Sequence, residues 1–94
     1  MPKVLIVDDQ GAVRTALEVM FEINGIETLS AASPEQALQM VTVEDVGAVI
    51  QDMNFSADTT SGREGMELFR ALRRLDPELP VLLMTAWTSL CQVA

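Results

Sequence analysis

The sequence predicts an α/β protein built on an open, doubly wound parallel sheet. Two observations support this prediction. The first is that strand-like and helix-like segments alternate three times, with turn residues between them. The second is that the strand-like segments are short and continuously apolar, which is typical of a sheet that is buried on both faces, so we expect helices on both sides of it.

The first strand and the first helix are predicted from the opening of the chain. Residues 4–7 form an apolar run that ends in two aspartates. From residue 11 onward, apolar residues recur at intervals of three and four, while Arg14 falls outside that pattern. Asn24-Gly25 then supplies a helix stop and a turn.

The second strand and helix follow directly. Residues 26–31 predict a strand of mixed character. Ser33 suits an N-cap, Pro34 suits the first helical position, and Gln36 stands where a capping box needs an acceptor. These residues predict a second, short helix that ends near Val41.

Residues 46–50 form the third apolar strand, which Asp52 follows closely. Residues 54–62 are small and polar and predict a loop of more than the usual length. A third helix follows, with apolar residues at helical spacing until Asp76. Three arginines of this helix fall outside the apolar pattern and are interpreted as a solvated face: Arg70, Arg73 and Arg74.

The chain closes with one more strand. Residues 80–85 predict a fourth strand, and residues 88–94 predict the beginning of a further helix. A chain of 94 residues is long enough for one domain, residues 1–94, and too short for two.

Composition excludes several classes of function. Fourteen acidic residues against six basic ones give a net charge of −8, which argues against a nucleic-acid surface and suits a metal cation or a basic partner. The absence of histidine excludes serine–histidine–aspartate catalysis and zinc bound by histidine. With one cysteine, no signal-like N-terminus and no apolar run of about 20 residues, we expect a cytoplasmic protein without a membrane span.

Three carboxylates are predicted to meet at one edge of the sheet. In the flavodoxin-like strand order 2-1-3-4, ligands bind beyond the carboxyl ends of strands one and three, where Asp8, Asp9 and Asp52 stand. Clustered carboxylates take up protons or hold a cation, and Mg²⁺ prefers such hard oxygen ligands. A metal-supported carboxylate is also a nucleophile toward phosphorus, and Thr85 at the next strand end could hydrogen-bond a phosphoryl oxygen. Taken singly, each residue could instead cap a helix, but jointly they favour chemistry.

This ordered set of motifs resembles a response-regulator receiver domain along essentially the whole chain. The resemblance lies in residues 4–9 with their acidic pair, in Asp52 with Asn54 two positions later, in the Gly-Met-Glu-Leu start of the third helix, and in residues 80–86 with their Thr-Ala pair. The Asp-Met-Asn-Phe and Leu-Met-Thr-Ala-Trp segments particularly resemble receivers of nitrogen-regulatory-type transcription activators.

The resemblance implies a role for each site residue. Asp52 would be the phosphoacceptor, supplied by a sensor histidine kinase or a small phosphodonor. Asp9, Asp52 and the backbone carbonyl of Asn54 would bind Mg²⁺ directly, and Asp8 would act through a water molecule. Thr85 would be the switch hydroxyl. The chain would regulate a transcription output that lies outside it, and it would not be an enzyme beyond its own phosphorylation and dephosphorylation.

The sequence departs from the family pattern after its fourth strand. A receiver continues through a helix, a fifth strand that ends in an invariant lysine, and a last helix, whereas this sequence ends at Ala94 and its one lysine is Lys3. We therefore expect a truncated receiver with impaired phosphorylation. Its fourth strand would expose an apolar edge, which predicts a homo-oligomer through that edge and residues 88–94.

Two other functions stay open at this point. Loss of the lysine is compatible with a truncated receiver that acts only as a non-phosphorylated structural or interaction fragment. A Mg²⁺-dependent phosphatase like the haloacid-dehalogenase-like hydrolases is disfavoured, because that family separates its two aspartates by one residue and Asp8 and Asp9 are adjacent. Trp87 and Cys91 are interpreted as packing residues.

Overall fold

The computed structural model describes residues 2–52, 63–84 and 92–93. Three helices and five strands lie in these residues, with the following bounds: β1 Lys3–Val7, α1 Gly11–Ile23, β2 Thr28–Ala31, α2 Pro34–Val43, β3 Val46–Asp52, α3 Arg63–Leu75, β4 Val81–Met84 and β5 Gln92–Val93. None of the helices in the described ranges is both long enough and apolar enough to cross a bilayer.

The sheet has the order β2-β1-β3-β4-β5. The pairings of β1 with β2, of β1 with β3 and of β3 with β4 are all parallel. The prediction of a parallel α/β sheet with the strand order 2-1-3-4 is therefore confirmed for these four strands. The continuous apolar run of β1 reflects its burial, since Leu5, Ile6 and Val7 are all fully buried.

The fifth strand differs from the expectation for the end of the chain. Gln92 and Val93 pair with Leu83 and Leu82 in an antiparallel arrangement. The prediction of a helix over residues 88–94 is thus wrong for residues 92–93, and the edge of β4 is paired at these two positions instead of being free. The unpaired N–H and C=O groups of a strand edge accept a neighbouring segment readily, and this long-range pairing outweighs a weak local helical pattern.

The main core lies on the face of the sheet that α2 and α3 cover. It is formed by buried residues of the strands, of these two helices and of the turn before β4: Leu5, Val7, Ala31, Ala37, Val49, Leu68, Leu72, Leu79, Val81 and Leu83. Ile6 lies between Leu5 and Val7 in β1 and therefore points to the opposite face, toward the side of α1. Within the described part of the chain, α1 packs on β1 and β2 through half-buried residues and buries none completely.

The start of α2 matches its sequence signal closely. The Ser33 hydroxyl accepts a hydrogen bond from the backbone N–H of Gln36 at 3.3 Å, and Pro34 occupies the first helical position. The Gln36 side chain in turn accepts a bond from the backbone N–H of Ala32 at 2.8 Å. The first bond satisfies a backbone donor that a helix start leaves unpaired, and the second ties the residue before the N-cap to the first turn, so α2 begins where the sequence predicted.

Two glycines are required by their geometry. Gly25, just after the C-cap of α1, has a φ of 76°, a left-handed conformation that residues with a Cβ adopt at a cost. Gly47 lies where the pairing between β1 and β3 shifts register, and a Cβ there would approach the Cβ of Pro2 to 2.6 Å. The second glycine therefore lets the segment before β1 pass directly over β3.

One arginine of α3 has a structural role that the sequence pattern did not predict. Arg73 was expected on a solvated face, but its guanidinium donates hydrogen bonds to the backbone carbonyls of Pro77 at 3.0 Å and Leu79 at 2.7 Å. It also lies 5.1 Å from the centre of the Phe69 ring. Arg70 and Arg74 are exposed, as expected.

Candidate functional site

β1 places a buried carboxylate at the carboxyl edge of the sheet. Asp8 directly follows the buried end of this strand and is itself only 5% exposed. Its Oδ1 atom accepts a hydrogen bond from the backbone N–H of Gln10 at 2.8 Å, and its own N–H donates to the carbonyl of Ala31 at 3.1 Å. Asp8 is thus held by both the sheet and the turn that leads into α1.

β3 places a second carboxylate beside the first. Val7 pairs with Gln51, so the residues that follow them, Asp8 and Asp52, reach the same edge of the sheet. Asp52 is half-buried and Asp9 is exposed. One carboxylate oxygen from each of Asp8, Asp9 and Asp52 lies within 4.8 Å of the others. The structure therefore brings together the three carboxylates that the sequence placed at one edge.

The surroundings of Asp8 oppose the ionisation of its carboxyl group. Burial raises the pKa of the Asp8 carboxyl above its usual value of 3.8, and Asp9 raises it further through its charge and a hydrogen bond. The hydrogen bond from the backbone N–H of Gln10 and the charge of Arg14 lower the pKa and offset part of this rise. The balance of these effects leaves the pKa of Asp8 raised.

Arg14 is a neighbour of the site that sequence reasoning missed. Its guanidinium donates a hydrogen bond of 2.7 Å to the backbone carbonyl of Asp8. The helical pattern indicated only that Arg14 lies outside the apolar stripe of α1, and it did not show that the side chain reaches back to the strand end. The spacing of six residues between an aspartate and a basic residue at a strand-to-helix turn is the signal that could have suggested it.

Gln51 is a second residue that sequence reasoning missed. It lies immediately before Asp52 in β3 and is fully buried. Its Nε2 donates to the backbone carbonyl of Gly65 in the first turn of α3 at 2.7 Å. Its position two residues after buried Val49, on the same face of the strand, is the sequence signal for burial.

Several residues to which the sequence assigned a role lie outside the described residues. They are Asn54, the expected carbonyl ligand; Thr85, the expected switch hydroxyl; and Trp87 and Cys91, the expected packing residues. The predicted loop over residues 54–62 lies outside them as well. The roles given to Asn54 and Thr85 therefore stay predictions.

The donor set of the cluster fits a small, hard divalent cation. All three groups are carboxylates, which provide the oxygen ligands that Mg²⁺ prefers. A cation would also relieve the repulsion that contributes to the raised pKa of Asp8. Asp8, Asp9 and Asp52 are the described residues that would hold such an ion.

Comparison with known proteins gives a consistent result. A family model described as "Response regulator receiver domain" matches residues 4–94. Among curated proteins, the sporulation initiation phosphotransferase F of Bacillus subtilis is 36% identical over 94% of this chain and 67% of its own length. The C4-dicarboxylate transport transcriptional regulatory protein DctD of Rhizobium meliloti is 34% identical over 89% of this chain, which spans only 17% of that regulator.

Solved structures with the same fold include the response regulator TrrA of Thermotoga maritima. A crystal structure of TrrA in complex with Mg²⁺–BeF matches with a TM-score of 0.80 and 25% identity, over 94% of this chain and 72% of that one. A crystal structure of the histidine kinase ThkA in complex with TrrA matches with a TM-score of 0.79 over the same shares of the two chains.

Proposed function

This chain belongs to the response regulator receiver domain family, and we propose that it accepts a phosphoryl group on Asp52 in a Mg²⁺-dependent reaction. The observation that carries the proposal is the convergence of Asp8, Asp9 and Asp52, with one oxygen of each within 4.8 Å of the others. Two of these carboxylates belong to the turn after β1 and the third ends β3, so the framework of the sheet holds them together.

The proposed chemistry uses a carboxylate as the nucleophile. One oxygen of Asp52 forms a bond to phosphorus while the bond between phosphorus and the donor breaks, and the donor leaves with that electron pair. Bound Mg²⁺ supplies charge neutralisation for the transferred group. Asp8, Asp9 and Asp52 would hold the ion in this proposal, and Asn54 and Thr85 would complete the site in the roles that the family resemblance implies.

The proposed partners follow from the relatives. TrrA is a response regulator crystallised with a histidine kinase, and DctD is a transcriptional regulatory protein. We propose that this chain likewise receives its phosphoryl group from a sensor histidine kinase or a small phosphodonor, in the cytoplasm, and controls a transcription output. Homo-oligomer formation through β4 and the C-terminal segment also stays a proposal, although part of the β4 edge is paired with β5.

A second candidate function is binding without phosphorylation. The one lysine of the 94 residues, Lys3, opens β1 at the end of the strand opposite Asp8, and its Nζ lies 3.5 Å from a carboxylate oxygen of Glu44. It is therefore not positioned to assist phosphoryl transfer at Asp52. For these 94 residues alone, this observation favours a site that binds Mg²⁺ and transfers phosphate slowly or not at all.

Labelling with acetyl phosphate tests the proposal. The protein would be incubated with acetyl phosphate and Mg²⁺, and intact-mass spectrometry would follow the addition of one phosphoryl group. We expect labelling that requires Mg²⁺ and is lost in Asp52→Asn, while Asp45→Asn, at the opposite end of β3, serves as the matched control. Saturable Mg²⁺ binding with no label on the wild type would support the second candidate and contradict the first.

A further inference from the structure

Gln51 is a polar residue in an otherwise apolar layer of the core. Its neighbours in register are Val7 on β1 and Leu83 on β4, and Val49 lies two residues earlier on the same face. All three neighbours are buried and apolar, and Gln51 itself is fully buried. An apolar side chain of similar size would match this layer without any need for hydrogen bonds.

The amide group of Gln51 joins two elements next to the proposed phosphoacceptor. Its Nε2 donates a hydrogen bond of 2.7 Å to the carbonyl of Gly65 in the first turn of α3, and lies 3.5 Å from the carbonyl of Asp52. Residues 53–62 separate Asp52 from α3 in the sequence. The side chain thus connects, through the core, the strand end that carries Asp52 and the start of the next helix.

The amide oxygen of Gln51 accepts no hydrogen bond from the described residues. Among the residues that the structure describes, no group donates to the Gln51 Oε1 atom, although that atom is buried. A buried acceptor without a donor destabilises the folded state, so stability by itself favours an apolar residue at this position. Residues that break a packing rule at a cost in stability are expected at functional sites.

We propose that Gln51 is a positioning residue for the phosphorylation of Asp52, an inference that rests on the proposed function. Its bond to the carbonyl of Gly65 fixes the first turn of α3 against the end of β3 and so fixes the direction in which the Asp52 carboxylate is presented. Nucleophilic displacement at phosphorus depends on in-line approach, and a small misplacement of the nucleophile slows it strongly.

Gln51→Met tests this role, because methionine is also unbranched and similar in size but can neither donate to Gly65 nor leave an orphaned acceptor. We would measure urea unfolding, Mg²⁺ binding, and the initial rate of Asp52 labelling at saturating acetyl phosphate. The expected result is unfolding stability equal to or above that of the wild type, a Mg²⁺ dissociation constant within about twofold, and labelling slower by roughly tenfold. Gln51→Leu repeats the test with a different shape.

Val49→Ala is the matched control on the same face of β3. It removes packing without touching the amide, so it should lower stability while its labelling rate under native conditions stays near that of the wild type. A purely structural role for Gln51 predicts the same pattern for Gln51→Met, with lower stability and an unchanged rate.

The outcomes separate this inference from the proposed function. Slower labelling in a variant that is no less stable supports the positioning role. Labelling at the wild-type rate, or slower labelling only in proportion to a loss of folded protein, overturns the role and leaves the proposed function in place. Absence of label on the wild-type protein overturns the proposed function and the positioning role together.

Discussion

Replacing Asp8 with asparagine should stabilise the folded protein when divalent cations are absent. Asparagine keeps an oxygen that can accept the hydrogen bond from the N–H of Gln10, which is 2.8 Å long in the wild type, but it removes one charge from the cluster. Two unit charges 4.8 Å apart, the limit within which these oxygens lie, repel by about 1 kcal/mol in water and by about 3.5 kcal/mol at the effective dielectric constant of a protein surface. Because Asp9 is exposed and Asp52 only half-buried, we expect a gain of about 1–2 kcal/mol in the free energy of unfolding.

Urea denaturation at neutral pH measures this gain directly. The comparison is made first in a chelator, where the gain should appear, and then in excess Mg²⁺, which should stabilise the wild type more than Asp8→Asn because the variant has lost one carboxylate of the site. Asp45→Asn also removes one negative charge but lies at the other end of β3, so it should change stability by less than about 0.5 kcal/mol. Equal or lower stability of Asp8→Asn in the chelator would refute the reasoning.

The same variant makes a prediction about pH. Since the pKa of Asp8 is higher in the folded protein than the value of 3.8 expected in the unfolded chain, the folded protein binds more protons between these two pKa values. The Asp8 contribution therefore destabilises the wild type progressively as the pH rises through this window. The gain in stability of Asp8→Asn over the wild type should reach its full value above the pKa of Asp8 in the folded protein, and it should be absent below pH 3.8. An advantage that does not change between acidic and neutral pH would contradict the assignment.

Three further substitutions test the packing, each by urea denaturation. Leu72→Ala removes a fully buried side chain from the core beneath α3 and should cost about 2–5 kcal/mol, so a cost below about 1 kcal/mol would show that this core is loosely packed. Gly47→Ala places a Cβ 2.6 Å from the Cβ of Pro2 and should cost about 1–3 kcal/mol, whereas the double variant with Pro2→Gly should recover much of that loss. Arg73→Met keeps the aliphatic length but removes the bonds to the carbonyls of Pro77 and Leu79, and a loss of about 1–2 kcal/mol is expected; no loss would mean that these bonds are replaced by water.

The sequence predicted the parts of the fold that depend on local patterns. Apolar runs located β1, β3 and β4, and a segment of mixed character located β2. The Ser33-Pro34 pair located the start of α2 to the residue. The convergence of Asp8, Asp9 and Asp52 was also predictable, because the carboxyl ends of neighbouring parallel strands meet at one edge whatever the details of packing.

The features that the sequence did not predict depend on contacts between distant segments. The short strand β5 forms because an edge is available on β4, and nothing within residues 92–93 specifies this partner. The hydrogen bond from Gln51 to Gly65 depends on the position of α3 above β3, and the contact of Arg14 depends on the turn between β1 and α1. Arg73 was misassigned for the same reason, since its acceptors lie in the turn after the helix.

Because α1 is only weakly buried, we expect it to unfold locally before the sheet does. Within the described part of the chain, α1 places none of its residues fully in the core, and Met20 and Ile23 are 48% and 79% exposed. Its start, however, is fastened to Asp8 through the N–H of Gln10 and the guanidinium of Arg14. Such a helix is expected to open at a lower free energy than the sheet, so its amide hydrogens should exchange with solvent before those of β1 and β3. A cation bound by Asp8 would hold the first turn of α1 as well, and the exchange rate of a helix on one face of the sheet would then report the occupancy of a site at its edge.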